Sequence, residues 1–220
     1  LLVLDKLHRR RRSFEADHEL VLQGEPAHSA YILAAGWVCS YKLLPDGTRQ
    51  IVDFQIPGDL LGFRSVLLRV ADHNIQAVTK IEVSVVSASD LLDAFARTPR
   101  LATAVLWAAS RDEAMVVEHL VSLGRRDAVQ RTAHFLLEMG SRMMLAGLGT
   151  HEGYQCPLSQ YLLADALGLT PVHINRVLRK LREDGLLTFR KGKVMFDDFD
   201  RLVEFAEFDK AYLDDGPLLR

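Results

Sequence analysis

The chain is 220 residues long, 49% hydrophobic and 25% charged, a composition that excludes a disordered polymer and fits one large or two small globular domains. No apolar run approaches the ~20 residues of a bilayer span, and Leu1-Leu2-Val3-Leu4 is too short for a secretory core, with its arginines behind it instead of ahead. The formal net charge of −2, taken as an average, argues against a nucleic-acid partner; it conceals seven Lys/Arg against two acids in 170–193 and eight acids against three bases in 197–220.

Residues 20–90 read as short strands: Leu20–Leu22, Ala30–Leu33, Trp37–Tyr41, Gln50–Phe54 and Ile81–Val86. Gly24-Glu25-Pro26, Ala35-Gly36, Pro45-Asp46-Gly47-Thr48 and Pro57-Gly58-Asp59 punctuate them, the pattern of a sandwich or barrel-like roll. Gly36 and Gly47 stand where a hairpin needs positive φ. Near Ser89 the period changes to helical. From Pro99 to Leu123 a 4-3-4-3 spacing selects Ala102, Leu106, Ala109, Glu113, Val116, Leu120 and Leu123, a seam of heptad type with one polar member. Two readings stand: a core helix against the roll, or a parallel two-helix dimer seam that also roofs it. Glu113 either pairs with Arg111 or Arg97 or faces a polar cavity.

Gly124 interrupts, and Arg125–Met144 reads as a second helix with Val129, Ala133, Leu136, Leu137 and Met139 on one side. Gly147–Thr150 reads as a loop. Ser159 then caps a helix carrying Leu162, Leu163, Ala166 and Leu167. Gly168-Leu169 is a tight connection, Thr170 a second cap, and Pro171 fits the first helical position, where a missing N–H costs nothing. The next helix buries Ile174, Val177, Leu178 and Leu181 and offers His173, Asn175, Arg176, Arg179, Lys180 and Arg182. Leu186–Phe189 and Lys193–Phe196 flank a basic tip at Arg190-Lys191-Gly192. Helix, Gly turn, basic helix and hairpin in this order make a winged helix-turn-helix; the alternative is a helical hairpin with a solvated basic face.

That arrangement suits duplex DNA. Arg176 can bond guanine bidentately and Asn175 adenine, while Val172 has only apolar contact to offer, as with a thymine methyl. Arg179, Arg182, Lys191 and Lys193 suit phosphates, which position without reading sequence. The N–H groups near Ser159 and Gln160 suit a further phosphate, and Thr170, Pro171 and His173 bring the start of the second helix to the groove.

The chain resembles the Crp/Fnr family of bacterial transcription regulators. Leu158-Ser159-Gln160 through Asp165-Ala166-Leu167-Gly168-Leu169-Thr170 to Asn175-Arg176 resembles the family helix-turn-helix. Arg125–Arg131 resembles its hinge and following helix, and Gly58-Asp59-Leu60-Leu61-Gly62 the corner of its cyclic-nucleotide-type roll. The resemblance implies an α+β protein. Residues 1–98 would hold an N-terminal helix and an antiparallel, jelly-roll-like (double-stranded β-helix) sensor. Residues 99–124 would be the dimerisation helix, and 125–220 the winged helix-turn-helix with an acidic tail. It also implies a cytoplasmic homodimer on a palindromic operator, and RNA polymerase as partner if the protein activates.

Departures from the family narrow the effector. An implied pocket of Gly58, Asp59, Leu60, Ala71, Asp72, Val116 and Val117 puts Ala71-Asp72 where cyclic-AMP binders carry an Arg-Ser phosphate clamp. It puts Val116-Val117 where they carry the Thr-Ser that meets adenine. A carboxylate there repels phosphate, so cyclic AMP in the usual pose is not expected; Arg64 and Arg69 are nearby, where a helix or loop can hide either. No cysteine precedes Cys39, so an iron–sulfur cluster lacks ligands; scattered His8, His18, His28 and His73 make no case for heme or another metal. Cys39 alternates as a small core residue, and Cys156, beside Pro157 before the DNA-reading helix, is a candidate reactive thiol. Many members carry Glu where Val172 stands and Ser or Gly where Asn175 stands, which implies a changed operator at the base that Glu would read. Two cysteines alone make neither a disulfide framework nor a thiolate metal site, which fits a reducing compartment. A small-molecule module with incidental DNA binding is the competing class. An enzyme finds no support, since no phosphate loop, His-Glu-x-x-His or nucleophile elbow is present.

Overall fold

The computed structural model describes residues 10–26, 29–68 and 70–213. His8, His28, Arg69, Arg9 and the expected N-terminal helix before Arg10 lie outside these residues. The chain divides into two compact units between Ala108 and Ala109.

In the first unit two four-stranded antiparallel sheets form the roll. One has the order β1 (Arg11–Phe14), β8 (Ile81–Ser87), β3 (Ser29–Ala35), β6 (Leu60–Leu61); the other has β2 (Glu19–Val21), β7 (Asn74–Ala77), β4 (Val38–Leu43), β5 (Arg49–Gln55). Alternation decides which side chains go inside. Leu33, Ile81, Val83 and Leu61 from one sheet meet Val21, Val38, Ile75 and Ala77 from the other in one buried cluster. Gly36 and Gly47 adopt φ of 87° and 84°, as hairpins of this kind require. The five strands expected from sequence are present with shifted ends. Three were missed: β1, which uses the arginine run; the two-residue β6; and β7, whose polar residues pair between β2 and β4. Two short helices follow the strands, α1 (Phe63–Leu67) and α2 (Ala88–Arg97), the latter capped by Ser87 and buried through Leu91 and Ala94.

The long helix α3 (Pro99–Arg125) crosses the boundary between units and runs through Gly124, correcting the interruption expected there. A single glycine costs a helix only about 1 kcal/mol against alanine, and Gly124 has open space around it. The next helix, α4 (Ala128–Leu145), starts where the Asp127 carboxylate accepts the Val129 and Gln130 N–H groups. It is buried from Thr132 to Met143 on every side, not one. Around it stand α5 (Gln160–Leu167), α6 (Pro171–Glu183), α7 (Phe199–Ala206) and a sheet of order β11 (Leu187–Arg190), β12 (Lys193–Phe196), β10 (Gly153–Gln155), β9 (Gly149–Thr150). Gly149-Thr150, expected as loop, is thus a strand. The acidic C-terminal stretch, expected as a tail, folds instead as far as Leu213: Leu202, Ala206, Phe208 and Leu213 are buried, and the charges lie outside them.

Candidate nucleic-acid interface

Both helices of the motif begin on the expected caps. Ser159 Oγ accepts Leu162 N–H at 3.2 Å and Thr170 Oγ1 accepts His173 N–H at 3.2 Å. Between them Gly168 takes φ 63°, ψ 39°, closing α5 as its N–H reaches the Ala164 carbonyl. An L side chain in that left-handed conformation costs roughly 1–2 kcal/mol, and a Cβ would lie 3.4 Å from Leu123 Cδ2.

With α6 anchored by Ile174, Val177, Leu178 and Leu181, its outer face is fixed. Val172 (62% exposed), His173, Asn175, Arg176, Arg179 and Lys180 all face solvent. Val172, Asn175, Arg176 and Arg179 follow the i, i+3, i+4, i+7 spacing of one stripe. Pro171 is half-buried, and so is Arg182, which therefore stands at the margin of this face and not on it as expected. Ser159 and Gln160 are exposed at the start of α5, and Gln160 Oε1 accepts from Asn175 Nδ2 at 3.5 Å. That long bond links the two helices at Asn175 and was not foreseen. Tyr161, 70% exposed beside them, was also overlooked.

The wing carries Arg190, Lys191 and Lys193 exposed around a two-residue turn, with Lys191 at φ 51° and Gly192 at φ 71°. Both positive values belong to the tight hairpin turn that matches strand twist. The Gly192 carbonyl accepts from Cys156 N–H at 2.8 Å, tying the wing tip to the segment before α5. Cys156 itself is buried, and burial pushes its thiol up to about 12. A thiol so protonated is inert, which removes it as a reactive site; Cys39 is buried as expected.

The residues of the implied effector pocket fall in both units. In the roll, Gly58 N–H donates to the Leu33 carbonyl, Asp59 Oδ2 accepts from Ile56 N–H, Leu60 lies in β6 and Ala71 is buried. Asp72 accepts from Arg64 Nη2 at 2.8 Å and lies 2.7 Å from His73 Nδ1. Burial opposes its ionisation, but the His73 ring and Arg64 guanidinium outweigh burial and hold its carboxyl below the ordinary range. On α3, Val116 and Val117 are exposed at 43% and 55%.

Of the seam, Leu106, Ala109, Glu113, Val116, Leu120 and Leu123 are exposed and Ala102 half-buried. Glu113 lies on the exposed side of the helix, level with the apolar members of the stripe. The opposite side of α3 buries Met115 and Ser122. A cluster missed from sequence lies there. Glu138, fully buried on α4, lies 2.8 Å from His119 Nε2 and accepts the Tyr212 hydroxyl at 2.8 Å. Glu118 holds Arg126 at 2.6 Å and stands 3.3 Å from His134 Nε2.

Among the described residues no helix is long and apolar enough to cross a membrane. Residues 11–98 match the cyclic nucleotide-binding domain and residues 130–205 the Crp-like helix-turn-helix domain. The chain is 31% identical over 197 residues to the nitrogen fixation regulation protein FixK of Bradyrhizobium diazoefficiens, covering 90% of this chain and 82% of that protein. It is 24% identical over 207 residues to the fumarate and nitrate reduction regulatory protein of Vibrio cholerae, covering 94% and 82%. The solved structure of FixK2 from Bradyrhizobium japonicum superposes with a TM-score of 0.80 at 31% identity, over 89% of this chain and 96% of that one. With a capped reading helix and basic wing joined to a nucleotide-binding-type roll, the chain belongs to the Crp/Fnr family and is a DNA-binding transcription regulator.

Proposed function

We propose that the protein acts as a homodimer through α3 on a palindromic operator, reading bases with Val172, Asn175 and Arg176 while Ser159, Gln160, Thr170, Pro171, His173, Arg179, Arg182, Lys191 and Lys193 position it. The carrying observation is the exposed stripe of α6, held by a buried apolar face and the Thr170 cap. Half-sites about one helical turn apart follow from two-fold symmetry. The likeness to transcription regulators supports a non-enzymatic role; we place it in the cytoplasm, with RNA polymerase as partner in the case of activation. Selection from random duplexes is expected to yield a palindrome with guanine opposite Arg176, and one that differs from the common family site at the base a carboxylate at position 172 would read. Arg176→Ala should weaken the selected site by about 10–100-fold and relax that base; the reading falls if the loss is equal on unrelated DNA.

The effector, where one exists, is not cyclic AMP in the usual pose, and no iron–sulfur cluster, heme or other metal is assigned. The Asp72 carboxylate supports this: it stands where the clamp would be and takes up the Arg64 guanidinium at 2.8 Å, a cation that a phosphate would otherwise need. Cyclic AMP is expected to leave operator affinity unchanged in an anisotropy titration; a rise of more than about tenfold would overturn the assignment of Ala71 and Asp72, since that is about 1.4 kcal/mol of coupling.

A further inference from the structure

Helix C-termini leave carbonyls without partners in the helix, and two such ends converge on one side chain here. From α4, Arg131 sends Nε to the Ser122 carbonyl at 3.1 Å and Nη2 to those of Leu123 at 3.3 Å and Arg126 at 3.1 Å. These belong to the last turn of α3 and the residue after it. Its Nη1 donates to the Leu167 carbonyl, the last of α5, at 2.7 Å. Leu123 and Gly168 lie close beside it, so the end of α3 meets the turn of the helix-turn-helix directly. Only a guanidinium has donors in a rigid fork able to serve four carbonyls at once, and its charge complements the negative ends of both helices.

We infer that Arg131 is a positioning residue for operator recognition: by holding the ends of α3 and α5 on one guanidinium, it fixes the orientation of each reading head on the dimer helix and so selects the spacing between half-sites. The inference rests on the dimeric reading above. Nothing in the bond set reaches α6, so Arg131 acts on how the two heads are placed and not on how one head reads bases. The joint is reinforced on the other side, where Arg126 bonds Ser122 Oγ and Glu118.

The test uses the full chain and operators in which the central spacer is lengthened or shortened by one or two base pairs. Each base pair moves one half-site by about 3.4 Å and turns it by about a tenth of a turn. The wild type is expected to prefer one spacing by about 30-fold or more, as bivalent contact demands. Arg131→Ala and Arg131→Lys should flatten that preference to about threefold while single half-site affinity stays within about twofold, because only the bivalent gain is lost. Lysine keeps the charge but not the fork, so it guards against an alanine variant that fails to fold. Asp198→Ala, which removes the α7 cap and touches none of the Arg131 acceptors, serves as the comparison for a general loss of stability. Retained spacing preference in folded Arg131 variants, or the same flattening in Asp198→Ala, would overturn this role alone. A wild type that binds duplexes without any spacing preference would overturn the dimeric operator reading and this role together.

Discussion

A Leu120→Glu variant is expected to sediment as a folded monomer and to lose operator affinity by about 10²–10⁴-fold, the factor that joining two half-sites supplies. Leu120 is 70% exposed, and Leu106, Val116, Val117, Val121 and Leu123 are exposed at 65, 43, 55, 43 and 38%. Six large apolar side chains along one helix form the kind of surface that monomers rarely leave uncovered. Full burial of each contributes about 1.5–3 kcal/mol. A symmetric seam would bring the two introduced carboxylates near each other, adding repulsion to lost burial. Met115 and Ser122 point the other way into the unit, so the substitution should spare the fold. Leu145→Glu, at a side chain 47% exposed at the end of α4, should stay dimeric. A dimer that survives Leu120→Glu, or a monomer that binds as tightly as the wild type, would sink the seam.

Val117 and Val121 sharpen what heptad counting can deliver. The 4-3-4-3 count picked out an exposed stripe but left out Val117, which the family resemblance placed in the pocket, and Val121, because spacing marks a stripe without giving its width. Capping chemistry was more legible: Ser159, Thr170-Pro171 and Gly168 are local devices whose partners lie within a few residues. Strand β1 was not legible, since Arg11 and Arg12 carry no strand signal and owe their conformation to pairing with Val83 and Ser84 of β8. The folded acidic end was hidden by its own charges, with Leu202 and Ala206 spaced four apart among exposed acids. Long-range polar partners were the least accessible. Glu138 and Tyr212 are far apart in sequence, and no periodicity shows that a glutamate in α4 will be enclosed. Arg131 lies within a stretch that resembles the family hinge, yet its four acceptors come from two other helix ends.

The enclosed groups give the C-terminal unit a pH dependence of definite sign. His134 is 1% exposed; burial, and then the Arg126 charge, hold its pKa down at about 4 from an ordinary 6.5. Between those values the unfolded chain binds a proton that the folded unit refuses, so stability is full above 6.5 and falls as the pH drops. The whole window is worth about 3 kcal/mol, and roughly 2 kcal/mol of it should be gone by pH 5. Around the ring stand Glu118, Arg126, Glu138 and His119, with Phe208 edge-on and Tyr212 stacked. Glu138 adds a second loss at lower pH. Burial works against its charge, but the His119 hydrogen bond and charge, Arg142 and the Tyr212 hydroxyl outweigh burial and hold its carboxyl below the usual range, so its contribution goes as the pH falls through that lowered value. Urea unfolding of the C-terminal unit within the full chain should therefore show a midpoint that falls from about pH 7.5 to about pH 5. His134→Gln should remove most of that slope while leaving the loss at lower pH, which belongs to Glu138. An unchanged slope between about pH 7 and 5 in His134→Gln would show that the ring takes up its proton in the folded unit, held by Glu118 instead of excluded by burial.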